Sequence, residues 1–401
     1  MNLSSSPFAA RRHKLFTTPG QLFVYTSHDA LQMAADQAYR YHQESNFLYL
    51  TGITEPGWIL IIDTSKDGGE YLIAPAVSDT KQIFNGSLDW DVAKTISGVE
   101  TIVPLDESDA LFQELAKKHQ EVFTLAAHPH ESYFEFVVNP AQARLTKQLE
   151  ELFKTVQDSR LLLTKARAIK SSEEVAAIRK AIAISIVGFE KAKAAINEAG
   201  YEYDIEAVFN AAFRKDGASG HAYEPIVAAA GNACTLHYIA NNAALPKSGL
   251  LLIDAGARYE HYAADITRTY AIGTPSSREI EVHGAVETAH QQIIALLKPG
   301  LSIKAYYKKV DEIMEAALTT LGLLKQPNDY ETYFPHAISH GLGIDVHDSL
   351  GSPEVFEEGM VLTVEPGIYI PKENIGVRIE DDILITKTGH ENLSKALPTA
   401  L

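Results

Sequence analysis

The segment LLLIDAGARYEHYAADITR, residues 250–268, decides how the second half of the chain folds. Its apolar run predicts a buried strand that ends on Asp254, and a second strand pattern eleven residues later contains Asp265. An ionised carboxylate in such apolar surroundings needs a partner. Either aspartate alone is typical of a strand-end acid that accepts backbone hydrogen bonds, whereas the two together indicate a site.

Strand and helix patterns surround this segment on both sides. The pair Ser171 and Glu174 has the spacing of a capping box and predicts a long helix from there to Gly200. Two further helices are predicted over 276–297 and 302–321, and strands over 225–230, 249–254, 262–270, 360–365 and 377–385. This mixture predicts an α+β domain in which helices cover an antiparallel sheet.

The N-terminal part of the chain follows a different pattern. Apolar runs at 57–62 and 71–73 predict buried strands that alternate with helices, which favours a smaller α/β domain. We place the boundary before the long helix, giving domains at residues 1–165 and 166–401. The first 28 residues are basic and faintly like an organellar presequence, but we favour a basic surface helix at the start of the folded domain.

Charge and composition limit the classes of function. The 401 residues include 52 Asp and Glu against 35 Lys and Arg, and the net charge of −17 would be repelled by phosphate backbones and anionic lipids. We therefore expect neither nucleic acid nor membrane as a partner, and no apolar run approaches the roughly 20 residues that span a bilayer. The single cysteine, Cys234, excludes an intramolecular disulfide and fits a cytoplasmic protein.

Histidines and further carboxylates follow in the C-terminal half. The run HAISHGLGIDVHD, residues 336–348, holds three histidines, and Glu365 ends a strand pattern just before Pro366. Because side chains alternate with period two, Arg378, Glu380 and Asp382 lie on one face of a predicted strand; taken alone, this segment fits an ordinary surface salt bridge equally well. Four carboxylates and one imidazole favour a two-metal hydrolase, with Mn²⁺ the best match and Co²⁺, Fe²⁺ and Zn²⁺ possible.

These motifs resemble those of a known family. IDAG at 253–256, ADITR at 264–268, SHGLG at 339–343, TVEPG at 363–367 and RIED at 378–381 resemble, in order and spacing, the ligand motifs of the pita-bread metallopeptidases. That family includes methionine aminopeptidase, prolidase, creatinase and aminopeptidase P. The segments 39–52, 55–57, 232–238 and 345–348 are most similar to the aminopeptidase P subfamily.

The resemblance implies a fold, a reaction and a set of roles. It implies a C-terminal pita-bread catalytic domain after a creatinase-like N-terminal domain, a homodimer or homotetramer, and short peptide substrates with proline in second position. The implied reaction is Xaa-Pro hydrolysis by a metal-bridging hydroxide. The implied metal ligands are Asp254, Asp265, His340, Glu365 and Glu380, of which Asp265 and Glu380 would bridge two divalent ions.

The remaining roles concern substrate and proton transfer. The resemblance implies that Glu365 also shuttles a proton to the leaving nitrogen, while His237 and His347 hold or polarise the scissile carbonyl. It further implies that His336 lines the substrate side, and that Tyr369 and Arg378 organise the surroundings of the ligands. These five side chains and Glu365 complete the predicted active site.

Other interpretations share the same residues. A prolidase, which cleaves only Xaa-Pro dipeptides, would carry every ligand named above, and a metal-free creatinase-like hydrolase or a non-catalytic binding module could keep the fold. Two departures from the family pattern bear on specificity. Phe84 stands where relatives carry the tryptophan of a Trp-x-Gly motif, and the loop that follows His347 is short.

Overall fold

The chain folds into two units, Met1–Leu163 and Thr164–Leu401, in a computed structural model that describes residues 6–125 and 136–401. The division falls inside helix α7, Arg160–Ala168, two residues before the boundary predicted from the sequence. Within the described residues, no helix is both long enough and apolar enough to cross a bilayer.

The N-terminal unit is built on a six-stranded mixed sheet. The strand order is β6-β5-β4-β1-β7-β8, with antiparallel pairs in the middle and parallel pairs towards both edges. The strands are β1 Leu22–Thr26, β2 Gln32–Ala34, β3 Gln37–Ala38, β4 Ile59–Asp63, β5 Glu70–Ala74, β6 Thr101–Pro104, β7 Glu121–Thr124 and β8 Thr155–Asp158, with β2 and β3 forming a separate hairpin. The helices are α1 Pro7–Leu15, α2 Ser45–Thr51, α3 Asp79–Asn85, α4 Trp90–Ser97, α5 Ser108–Lys118 and α6 Ala141–Leu152. The α/β class predicted for this part is confirmed.

The basic helix predicted near the start of the folded domain is present as α1, with His13 and Lys14 exposed. The sequence did not indicate that the Arg12 side chain is fully buried. Its guanidinium donates to both carboxylate oxygens of Glu70, at 2.9 and 2.6 Å, and to the carbonyls of Leu50 and Ser97 at 2.7 and 3.0 Å. A buried arginine needs such a complete set of acceptors, so α1 is an integral part of the unit.

The C-terminal unit combines long helices with antiparallel strands, as predicted. Three of its long helices were expected from the sequence, whereas the fourth, Glu202–Lys215, was not. Its helices are α8 Ser172–Ala195, α9 Glu202–Lys215, α10 Ser277–Ile294, α11 Ile303–Thr320 and the short α12 Asp329–Tyr333. Its strands are β9 Gly220–His221, β10 Ile226–Ala229, β11 Gly249–Asp254, β12 Ala257–Tyr259, β13 Tyr262–Ala263, β14 Thr267–Ile272, β15 Val361–Val364, β16 Gly367–Ile370, β17 Ile375–Arg378, β18 Asp381–Ile385 and β19 His390–Asn392.

Helix starts and strand pairings in this unit follow from local chemistry. Ser171 and Ser276 each form a complete capping box, with Glu174 and Glu279, which satisfies the first amides of α8 and α10. The apolar strand β11 lies between β10 and β14, so it is buried along its whole length and ends on Asp254. A large apolar cluster between α10, α11 and β15–β18 forms the core.

Two strands predicted as continuous are broken, and both breaks lie beside predicted ligands. The pattern over 262–270 becomes β13 and β14, separated at 264–266, where the Asp265 amide donates to Asp382 Oδ2 at 3.2 Å. The pattern over 377–385 becomes β17 and β18, separated where the Glu380 amide donates to the Thr267 carbonyl at 3.0 Å. Pairing between distant segments therefore overrides the local alternation.

Candidate metal centre and active site

Five acidic or imidazole side chains converge from the ends and connections of strands and from one loop of the C-terminal unit. Asp254 is the last residue of β11, while the other four lie in connections between strands or in the loop before β15. Backbone hydrogen bonds tie these connections together, from the Glu365 amide to the Ile338 carbonyl at 3.0 Å and from the Thr363 amide to the His340 carbonyl at 2.9 Å. The convergence is thus a product of the sheet register.

The ligand atoms form overlapping groups. Three sets each have one ligand atom per residue within 4.8 Å of the others: Asp254 with Asp265 and Glu380, His340 with Glu365 and Glu380, and Asp265 with His340 and His347. Glu380 belongs to two of the sets, and so does Asp265. Sharing of this kind is what two adjacent cations with bridging carboxylates require.

The carboxylates are buried and repel one another. Burial, followed by the opposing charge of Arg378 and the repulsion from Asp265, leaves the pKa of Asp254 raised above its usual range. Burial and the charge of Asp265 raise the pKa of Glu380 well above its ordinary value, and burial raises the pKa of Glu365 to about 7. Added positive charge would therefore strongly stabilise the ionised form of these carboxylates.

The imidazole of His340 has the geometry of a ligand. With the proton on Nδ1, the ring donates to the Gly341 carbonyl at 2.9 Å, and Nε2 lies 3.4 Å from both Asp265 Oδ2 and Glu365 Oε1. Burial opposes protonation, but the hydrogen bond to Asp265 and the charge of Glu365 raise the pKa of His340 to about 9. Nε2 is therefore directed at the carboxylates and attracts a positive charge to this point.

Arg378 organises the side of the site around Asp254. The residue is 4% exposed, and its guanidinium donates to Asp254 Oδ2 at 2.6 Å, Tyr369 Oη at 2.9 Å and Thr267 Oγ1 at 3.1 Å. The Thr267 hydroxyl in turn donates to Glu380 Oε2 at 2.7 Å. One buried arginine thus fixes two of the carboxylates, which removes the surface salt bridge as an interpretation.

These residues fit divalent metal ions as cofactors. Four carboxylates and one imidazole nitrogen are brought together, and their mutual repulsion is only partly offset by Arg378. Oxygen ligands with one nitrogen suit hard or borderline divalent cations. The single thiol, that of Cys234, donates to the Ile375 carbonyl at 3.3 Å.

The predicted substrate-side residues surround this cluster at different depths. His336 Nε2 forms a hydrogen bond with Tyr369 Oη at 2.9 Å. The other ring nitrogen, Nδ1, lies 3.7 Å from Glu365 Oε2. Burial and the charge of Arg378 lower the pKa of His336 to about 4. The ring of His347 is exposed and lies 4.2 Å from that of His340, centroid to centroid.

His237 lies on an exposed loop after β10. Its charge is a minor contribution to the lowered pKa of His336, after burial and the charge of Arg378. Phe84 belongs to α3 in the N-terminal unit, where its side chain is 80% exposed.

Three hydroxyl residues of the site did not emerge from the sequence. Thr267 and Thr363 lie two residues from Asp265 and Glu365, so the period of two along a strand could have identified them. The Thr363 hydroxyl donates to Glu365 Oε1 at 3.2 Å and accepts from the His340 amide at 3.2 Å. Tyr223 donates to Asp254 Oδ1 at 2.5 Å, and nothing in its local sequence predicts this contact.

Comparisons with known proteins agree with this geometry. Metallopeptidase family M24 matches residues 176–387, and the aminopeptidase P N-terminal domain matches residues 8–123. Xaa-Pro aminopeptidase of Escherichia coli is 33% identical over 423 aligned residues, covering 98% of this chain and 96% of the relative.

Solved structures extend the similarity to the whole fold. Proline aminopeptidase P II from Yersinia pestis superimposes with a TM-score of 0.84 at 32% identity, covering 100% of this chain and 97% of that one. A zinc-substituted aminopeptidase P of E. coli in complex with product gives a TM-score of 0.84 at 31% identity, covering 98% and 95%. With its pita-bread unit and aminopeptidase P N-terminal domain, the chain belongs to metallopeptidase family M24.

Proposed function

We propose that this chain is an Xaa-Pro aminopeptidase, a metal-dependent hydrolase that releases the first residue of peptides with proline in second position. The observation that carries the proposal is the pair of ligand sets that share Glu380, Asp254 with Asp265 and His340 with Glu365. Similarity to Xaa-Pro aminopeptidase of E. coli along 98% of the chain supports the substrate class.

Metal binding is assigned to these same residues. Asp254 would hold one ion, His340 and Glu365 the other, and Asp265 and Glu380 would bridge them. Mn²⁺ is the proposed native ion because oxygen ligands with one imidazole suit it, with Co²⁺, Zn²⁺ and Fe²⁺ as alternatives. When bound, two such ions polarise a carbonyl and lower the pKa of water.

Glu365 is the proposed proton carrier. Its Oε1 is held by the Thr363 hydroxyl and its Oε2 faces His336, so the carboxylate has a fixed direction within the site. It takes a proton from the attacking water and gives it to the departing proline nitrogen. Because an amide nitrogen leaves readily only as a protonated amine, cleavage depends on this delivered proton.

The remaining side chains bind and orient. His237 and His347 are proposed to hold the scissile carbonyl and its oxyanion; both are exposed, and His347 has a ring nitrogen close to Asp265 and His340. His336 is proposed to line the substrate side. Arg378 and Tyr369 keep Asp254 in place, since the Arg378 guanidinium donates both to Tyr369 Oη and to Asp254 Oδ2.

Comparison of two substrates tests the activity. With Mn²⁺ present, we expect release of alanine from Ala-Pro-Ala at a higher kcat/KM than from Ala-Pro. A prolidase would reverse this order, because it recognises the free carboxylate of the proline residue, which only the dipeptide has. A non-catalytic binding module would cleave neither peptide after metal loading.

Assembly, organisation and location belong to the same proposal. A homodimer or homotetramer formed through the N-terminal domain is proposed, and the exposed Ile83 and Phe84 of α3, 79% and 80% accessible, support a covered surface there. The domains are proposed to be residues 1–165 and 166–401, and the location cytoplasmic, which the lone Cys234 supports. Light scattering of the purified protein tests the assembly.

A further inference from the structure

A buried glutamate outside the metal cluster holds the loop that carries His237. Glu202 is the first residue of α9, and its side chain is fully buried. The segment 229–243, here named the His237 loop, leaves β10, forms a 3₁₀ turn, passes through the exposed His237 and returns to the start of α9. Glu202 contacts this loop at its beginning, middle and end.

Four hydrogen bonds fill the acceptor capacity of the carboxylate. Oε1 accepts from the Ala229 amide at 2.9 Å and from Asn232 Nδ2 at 3.0 Å. Oε2 accepts from the Tyr238 hydroxyl at 2.8 Å and from the Ala243 amide at 2.9 Å. A carboxylate has about four acceptor positions, so these four donors use them all.

The backbone adds two further anchors at the end of the loop. The Glu202 amide donates to the Ala243 carbonyl at 3.0 Å, and the Leu245 amide donates to the Gly200 carbonyl at 2.9 Å. One turn further along α9, Glu206 Oε2 accepts from Asn241 Nδ2 at 2.9 Å. The loop is therefore tied to one end of a single rigid helix.

We propose that Glu202 is a positioning residue for His237. Its partner Tyr238 directly follows His237, so the bond to Oε2 sets the direction in which the exposed imidazole leaves the backbone. A group that holds a reacting carbonyl needs placement within about 0.5 Å, and an exposed side chain on a long loop cannot achieve this by its own contacts. The inference rests on the proposed function, because it assigns His237 to the substrate.

Glu202→Gln tests the proposal with little change of shape. A glutamine offers one acceptor oxygen and an amide group that would meet two donors, so at least one end of the loop is released. We expect kcat/KM for Ala-Pro-Ala to fall about 10- to 100-fold, as it does when a residue that orients a reacting group is replaced. Bound metal per chain stays at the wild-type value. Glu198→Gln, the same charge change at an exposed position, keeps wild-type kinetics.

A double-mutant cycle separates positioning from a general structural role. If Glu202 acts through His237, then Glu202→Gln lowers kcat/KM by less than about twofold when His237→Ala is already present. An equal fold-loss on both backgrounds, or wild-type activity of Glu202→Gln, overturns the proposal. Should Glu202→Gln fail to fold, Tyr238→Phe removes one of the four bonds and is expected to give a smaller loss that also disappears beside His237→Ala.

Hydrogen exchange of the metal-free protein provides a readout that needs no activity. Amides of residues 229–243 should exchange faster in Glu202→Gln than in wild type, and at the wild-type rate in Glu198→Gln. Unchanged exchange in Glu202→Gln contradicts the anchoring itself. Wild-type protein that anchors its loop but cleaves no Xaa-Pro peptide contradicts the proposed function instead, so the two failures are distinguishable.

Discussion

Arg378 shows how one side chain can organise a cluster of acids. Its guanidinium donates to a carboxylate, a phenol and a threonine hydroxyl, and each of these groups is hydrogen-bonded to another part of the site. The planar guanidinium presents donors in fixed directions, which a lysine ammonium does not. The arrangement thus depends on the shape of the group as well as on its charge.

Arg378→Lys should therefore impair the site while keeping the charge. A lysine cannot reach Asp254, Tyr369 and Thr267 together, so we expect kcat/KM and metal affinity each to fall about 10- to 100-fold. Kinetics with Ala-Pro-Ala and a Mn²⁺ titration measure the two effects. Arg179→Lys is the matched control, because Arg179 pairs with Glu391 at an exposed position. Wild-type kinetics for Arg378→Lys would contradict this role.

Asp63 illustrates a different use of a buried acid, in the N-terminal unit. Burial alone raises the pKa of Asp63, but two hydrogen bonds from Ser65, at 2.6 and 2.9 Å, and the nearby His119 outweigh it and lower the pKa. The folded state thus prefers the ionised form. The resulting stabilisation is present above the unfolded pKa of about 3.9 and is lost as pH falls through the lower folded pKa.

Asp63→Asn should accordingly destabilise the protein at pH 7 and lose this effect in acid. We expect the difference in free energy of unfolding from wild type to shrink as pH is lowered from 5 towards 2, measured by urea denaturation at each pH. Asp67→Asn, at an exposed position, should show little difference at any pH. A difference between wild type and Asp63→Asn that does not change with pH would refute the assignment.

At the scale of helices and strands, the local sequence predicts where helices start better than it predicts how strands pair. The capping boxes at Ser171 and Ser276 identified the first residues of α8 and α10, because a cap depends on residues three apart. The breaks at 264–266 and 379–380 were not predictable in this way, because they involve bonds between segments far apart in sequence, from the Asp265 amide to Asp382 and from the Glu380 amide to Thr267. The contact between Tyr223 and Asp254 was not predictable for the same reason, because it joins residues that are distant in sequence.

The candidate site was predictable for a related reason. Its acids and His340 occur in short motifs whose order resembles a family, so their identity could be assigned without knowledge of distances. Glu202 belongs to no such motif, and only the fold brings its carboxylate to Tyr238. Support of this kind becomes visible only once the loop and the helix are placed together.

Arg268 links strand β14 to strand β18 through a buried guanidinium. Its side chain is fully buried and donates to the Glu380 carbonyl at 2.7 Å, Asp381 Oδ1 at 2.6 Å and the Leu397 carbonyl at 2.8 Å. One residue thus holds a ligand-bearing connection and the C-terminal segment against the same strand.

Arg268→Met should destabilise the protein severely, since it leaves Asp381 buried without its main counter-charge. We expect a loss of about 3–5 kcal/mol in the free energy of unfolding, measured by urea denaturation. Arg278→Met, which breaks the more exposed pair with Glu373, should cost less than about 1 kcal/mol. Equal losses in the two variants would contradict the importance given to burial.

For the whole molecule, the acidic surplus has two parts. Of the 52 acidic side chains, four form the candidate metal centre, and they were distinguished by position rather than by number. The others account for most of the net charge of −17, which argued against nucleic-acid partners. Within the C-terminal unit, Arg378 offsets only part of the repulsion among these buried acids, and bound divalent cations would offset the rest.

The central claim is that this cluster is a two-metal centre that cleaves Xaa-Pro bonds. Release of alanine from Ala-Pro-Ala, followed while Mn²⁺ is added back to chelator-treated protein, tests it most directly. We predict no release from the metal-free protein and a rate that rises to a plateau as two ions per chain are bound. Release that persists after chelation, or no release at saturating Mn²⁺, would contradict the claim.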